Sequence, residues 1–124
     1  VRLDGFQEPG RVPLYLAAAD VLAVPNRSQP AISARYTSPL KAFEAMAAGV
    51  CVVASDLPSL REVFTHDRDA WLVAPDDPAA LAEGLRTVLS DDARRARLAG
   101  ALAARAPEHT WDARAARLLA WMEE

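Results

Sequence analysis

The segment best able to do chemistry is Ser38-Pro39-Leu40-Lys41, followed one helical turn on by Glu44. Ser38 can cap a helix through its hydroxyl, and Pro39 at the first helical position gives up an N–H that has no intrahelical partner there. Gly49 is the natural stop for a helix opened in this way. Free N–H groups and the positive end of the helix dipole at Leu40 and Lys41 form a phosphate site, to which Lys41 adds a full charge. Lys41 is the sole lysine among fourteen basic residues, the others being arginine. A cation in a first turn opposes the dipole unless an anion sits between them, and a compact ammonium on a flexible stem suits that task. Glu44 falls on the face of Lys41 and presents a carboxylate acceptor for hydroxyl groups about one turn along.

These residues need elements to hold them. Val50 to Ser55 is a continuous apolar run, the pattern of a parallel strand buried on both faces. Upstream, Val1 to Phe6 reads as a strand, Val12 to Asp20 as a short helix, and Val21 to Val24 as a strand closed by Pro25. Asn26 to Thr37 is polar and reads as a loop, placed at the carboxyl edge of the sheet where such folds bind ligands. Downstream, Leu57 to Phe64 predicts a short helix opened by Pro58-Ser59, and Trp71 to Val73 a brief strand. Everything after Asp77 reads as helix, striped by Leu81, Leu85, Val88 and Leu89, then Leu98 and Leu102, then Trp111, Leu118, Leu119 and Trp121, with Pro107 dividing the last two helices. Short buried strands alternating with helices imply an α/β domain with a parallel sheet and right-handed crossovers.

Composition narrows the function. The 124 residues, 52% hydrophobic and 25% charged, suffice for one domain with a core. A net charge of −3, with acids and arginines interspersed, provides no basic field for nucleic acid. Cys51 stands alone, so no internal disulfide can form; a buried inert thiol in a reducing cytoplasm is the expectation. The sequence has no apolar run long enough to span a bilayer and no signal-peptide pattern. The start at Val1, directly on a strand-like segment, suggests a piece of a longer polypeptide.

Other candidates read more simply as structure. Asp20 ends a helix and lacks metal-ligand spacing. His66 and His109 are expected at the surface, Asp67-Arg68-Asp69 in a solvated turn, and Arg94, Arg95 and Arg97 on a charged helix face. Trp111 and Trp121 read as docking core rather than ligand platforms. Glu62 is either a site residue or part of a solvated face.

The order Gly5-Phe6, Ala19-Asp20-Val21-Leu22-Ala23-Val24-Pro25, Phe43-Glu44-Ala45-Met46-Ala47-Ala48-Gly49-Val50-Cys51-Val52-Val53-Ala54-Ser55 and Glu62-Val63, with Ala70 to Val73 and Thr110-Trp111 behind it, resembles the carboxy-terminal half of a retaining GT-B glycosyltransferase of the family 4 type, the glycosyl transferases group 1. The resemblance covers nearly the whole chain. It implies a partial Rossmann-like parallel sheet with flanking helices that binds a nucleoside diphosphate sugar, transfer to a hydroxyl of a glycan, lipid or small-molecule acceptor, and an amino-terminal lobe of the same protein as partner. It implies no cofactor and no metal, and a cytoplasmic place that includes the membrane periphery.

The family motif is two glutamates separated by seven residues. The second matches Glu44, which by resemblance accepts hydrogen bonds from the ribose hydroxyls. The first falls on Tyr36, a departure, because a phenol is not a carboxylate at neutral pH. On this reading Tyr36 borders the sugar, while Thr37, Ser38, Leu40 and Lys41 meet the diphosphate. The lobe's first strands, which carry further basic groups, precede Val1, so this stretch alone is expected to be inactive. Family strand order 3-2-1-4-5-6 separates Val1 to Phe6 from the Val21 strand, and predicts a stretch that is partly unfolded, associates, or docks its first strand beside Val21. Two other classes stay open: a non-catalytic nucleotide-sugar-binding or regulatory lobe, which the Tyr36 departure permits, and a different doubly wound signalling domain, which needs an acidic cluster that only Asp4 approaches.

Overall fold

The computed structural model describes residues 3–36 and 40–123, apart from the side chain of Ser33. Among the described residues three parallel strands form the sheet in the order β1 (Val21–Val24), β2 (Cys51–Ser55), β3 (Trp71–Val73). Val21 stands opposite Cys51, and Val53 opposite Trp71. All five residues of β2 are buried, and its two-residue period divides the core. Val52 and Ala54 join Met46, Leu60, Phe64 and Leu102 on one side. Cys51 and Val53 join Val88 and Leu98 on the other.

Helices cover both faces. α1 (Val12–Ala18) and α3 (Leu40–Ala48) pack together; α2 (Ala31–Tyr36) rests on α4 (Pro58–Arg61); α5 (Pro78–Leu89) and α6 (Asp92–Ala103) lie against β2. Local chemistry sets several ends. The Asp77 carboxylate accepts from the N–H groups of Ala79 and Ala80 at 2.9 and 3.0 Å, and Pro78 follows it, so α5 opens on a capped turn. Asp91 caps α6, and Thr110 caps the last helix, α7 (Trp111–Met122). Gly49 stops α3 with φ +65°, where the N–H groups of Gly49 and Val50 return to the carbonyls of Met46 and Ala45. Among the described residues no helix is long and apolar enough to cross a membrane.

Several expectations are corrected. Residues 3–6 form no strand and pair with no strand of the sheet, and Leu3 and Phe6 are more than 90% exposed; an extended segment becomes a strand only beside another, and among the described residues no strand lies alongside this one. Docking of this segment alongside β1 is therefore absent among the described residues, while Val1 and Arg2 lie outside them. The expected loop from Asn26 to Thr37 contains α2, which Ala34 anchors by burial. The helix expected to run to Phe64 ends at Arg61, although Val63 and Phe64 stay buried.

Asp69 is not solvated. It is fully buried, accepts from the Thr65 N–H at 2.7 Å and pairs with Arg105 at 2.7 Å. The arginines of α6 are structural: Arg94 lies over the Trp71 ring, Arg95 donates to the last carbonyls of α5 at Val88 and Leu89, and Arg97 pairs with Asp67. His66 accepts the Leu72 N–H on Nδ1. Trp111 and Trp121 are exposed rather than docked, because α7 rests chiefly on the turn before it, Ala106–His109.

Among the glycines Gly84 is packed most tightly: a Cβ there would lie 2.5 Å from Val73 Cγ1. Gly84→Ala is predicted to destabilise the fold by about 1–3 kcal/mol through overpacking, despite its gain in helix propensity. A denaturant midpoint at or above that of the parent protein would refute this account of the α5–β3 contact.

Candidate functional site

α3 is held to the sheet by Ala42, Ala45 and Met46, all essentially inaccessible to solvent, and the two small side chains let the helix lie close. That burial turns Lys41 and Glu44 outward. Both are exposed, and among the described residues neither has a hydrogen-bond or ion-pair partner. Among the described residues the first turn of α3 holds no acidic side chain to set against the positive end of its dipole. Tyr36 ends α2 and is exposed, and Leu40 begins α3. The connection thus keeps Tyr36 close in sequence to the α3 tip, while Thr37 and Ser38 lie outside the described residues.

Glu44 does more than face solvent. With Ala47 it forms one wall of a groove of about 280 Å³, whose other wall is Pro9, in the turn before α1, and Val12, Pro13 and Leu16 of α1. A carboxylate at the rim of an apolar slot can hold a hydroxylated ring whose flat face is shielded from water.

A second cavity, of about 240 Å³, opens on the Leu40 and Phe43 side of the same helix, lined also by His109, Trp111, Arg114 and Arg117. His109 is half-buried, not a surface residue: its ring lies 5.3 Å from that of Phe43, and its buried Nε2 has no hydrogen-bond partner. The guanidinium groups of Arg114 and Arg117 line this cavity near the start of α3 without any local signal in the sequence, because only the tertiary return of the chain brings them there.

At the carboxyl ends of the strands the Asp56 carboxylate receives a two-pronged bond from Arg61, with Nη2 at 2.6 Å. That hydrogen bond holds the Asp56 carboxyl below the usual aspartate range. Glu62 is exposed and lines neither cavity on α3. Among the described residues no group of three or more His, Cys, Asp or Glu is placed to hold a metal ion.

The profile of the family described as "Glycosyl transferases group 1" matches residues 1–91. The chain belongs to that family. A D-inositol 3-phosphate glycosyltransferase of Xylanimonas cellulosilytica is 39% identical over 112 residues, which make up 90% of this chain and 25% of that protein. A phosphatidyl-myo-inositol mannosyltransferase of Mycobacterium tuberculosis is 35% identical over 108 residues, 84% of this chain and 27% of that protein. The chain therefore spans about a quarter of the length of the curated relatives it matches.

Solved structures agree on the fold. The C-terminal domain of a glycosyl transferase group 1 family protein from Francisella tularensis superposes with a TM-score of 0.72 at 20% identity, covering 86% of this chain and 51% of that one. A sucrose-phosphate synthase from Thermosynechococcus elongatus gives 0.72 at 30% identity, covering 89% and 26%. The partial Rossmann-like sheet of the group 1 C-terminal GT-B lobe is thus the architecture of this chain.

The Asp56 pair generates a pH prediction. Because the folded-state pKa is depressed, the pair stabilises the α4 turn above the ordinary aspartate range and is lost as pH falls through the lower folded value. A carboxyl-carbon NMR titration is expected to place the Asp56 midpoint below that of a free aspartate, and Arg61→Ala to raise it; coincident curves would sink the assignment.

Proposed function

We propose that this chain is the donor-binding part of a glycosyltransferase that moves a sugar from a nucleoside diphosphate to an acceptor hydroxyl, with retention of configuration. The observation that carries the reading is the placement on α3 of Lys41, in a first turn without acidic side chains among the described residues, and of Glu44, one turn on, at the rim of an apolar groove. The diphosphate sits at the tip, where Leu40 and Lys41, with Thr37 and Ser38, supply N–H, hydroxyl and ammonium donors. Glu44 accepts from the ribose hydroxyls while the groove shields the nucleoside. Tyr36 borders the sugar.

In the reaction the bond from the anomeric carbon to the diphosphate oxygen breaks, the bond to the acceptor oxygen forms, and the acceptor proton is released. Charge develops on the departing diphosphate, and the helix tip with Lys41 stabilises it. The relatives named for inositol-containing substrates favour a polyol hydroxyl as acceptor. A second reading, a nucleotide-sugar-binding lobe without catalysis, is favoured by Tyr36 at the first glutamate position; sugar transfer by the full-length protein would exclude it.

In that protein Glu44→Gln is predicted to weaken nucleoside diphosphate binding by about 1.5–3 kcal/mol, the worth of a hydrogen bond to a charged group. Calorimetry with UDP, GDP and ADP checks it, and unchanged affinity would remove the ribose role.

Lys41→Ala is predicted to weaken diphosphate binding far more than binding of the bare nucleoside, with Lys41→Arg a partial rescue. Equal losses for both ligands would assign Lys41 to folding instead.

A further inference from the structure

We infer that Asp76 is a positioning residue for the donor loop, tying Ser28 on the connection from β1 to α3 to the turn between β3 and α5. The inference rests on the donor-binding reading of Tyr36, Lys41 and Glu44. β1 and β3 are not neighbours, since β2 lies between them, so their axes stand about 10 Å apart. Their following loops meet above Ser55, closing over a cavity of about 310 Å³ with Pro25 and Asn26 on one side and Val73 and Leu81 on the other. The tie is doubled at one oxygen: the Ser28 N–H donates to Asp76 Oδ2 at 3.1 Å, and the Ser28 hydroxyl donates to the same atom. Arg27 Nε lies 3.8 Å from the other oxygen.

The turn alone does not account for this aspartate. Asp76 has φ +57°, a left-handed conformation that glycine adopts at no cost. The capping of α5 belongs to the next residue, Asp77. What Asp76 adds over glycine is the carboxylate that reaches Ser28. Among the described residues it is the one side chain from elsewhere in the chain that bonds to segment 26–30. Beyond that segment the connection runs through α2, whose Ala34 is buried, to Tyr36 and then to α3. Ser28 is therefore the first of two anchors that set where the donor loop lies, and anchoring it before ligand arrives removes an ordering cost from binding.

The test uses the full-length protein with Asp76→Gly, which keeps the left-handed turn, and Asp76→Asn, which tolerates that turn and retains an acceptor oxygen. Hydrogen exchange is expected to rise over residues 26–36 in the glycine variant and stay unchanged over residues 51–55. The dissociation constant for the tightest-binding of UDP, GDP and ADP is expected to rise about two- to tenfold, the worth of an ordinary hydrogen bond, with most of the loss restored by asparagine. Nucleotide affinity equal to that of the parent protein overturns the inference, as does faster exchange across the whole sheet, which is the mark of a merely structural role. A parent protein that binds none of the three diphosphates overturns the donor reading itself, and the inference with it.

Discussion

Burial of β2 on both faces is the constraint on which the rest of the structure depends. A strand whose five side chains are all hidden cannot lie on the surface of a single-layer sheet; it requires helices above and below. Parallel pairing with β1 then forces the chain to cross over between the strands. α3 makes that return, descending to Gly49 before β2 rises again. Its first turn is thereby left at the carboxyl edge, where a parallel sheet presents its loops and helix tips to a ligand.

α3 packs through one face and presents the proposed donor-binding residues on the other. Alanines at positions 42 and 45 bring it close to the sheet, and the same rotation leaves Lys41 and Glu44 exposed, with no hydrogen-bond or ion-pair partner among the described residues. A lysine in the first turn of a helix opposes the dipole, and an anion placed between them relieves that repulsion. Glu44 then meets α1 across an apolar groove, so the carboxylate acquires a shaped neighbour that the helix alone does not provide.

Polar ties fasten the periphery to this frame. Asp69 and Arg105 join the turn after α4 to the end of α6 through a buried ion pair, and Arg97 pairs with Asp67 in the same turn. The Asp76 tie to Ser28 does the corresponding work at the carboxyl edge, joining two loops whose strands never touch. In each case a charged group is held against backbone or hydroxyl donors, or a guanidinium, far away in sequence, so loops without much apolar surface still have a defined place.

Much was legible in the sequence because its signals are local. The apolar run of β2, the short strands flanking it, the stop at Gly49, the last helices and the outward pairing of Lys41 with Glu44 all follow from periodicity and end chemistry within a few residues, and the family motif lies in the same stretch. Tertiary structure decided the rest. Residues 3–6 have strand-like composition but, among the described residues, no strand to pair with, while α2 forms in a polar stretch because Ala34 finds cover on α4. Asp69 looks solvated until Arg105 arrives from the segment after α6, His109 looks exposed until it meets Phe43, and Asp76 looks like turn punctuation until it reaches Ser28. The division has one physical reason: helix ends and hydrophobic period are set by neighbours along the chain, whereas burial, ion pairing and the walls of a groove are set by neighbours in space.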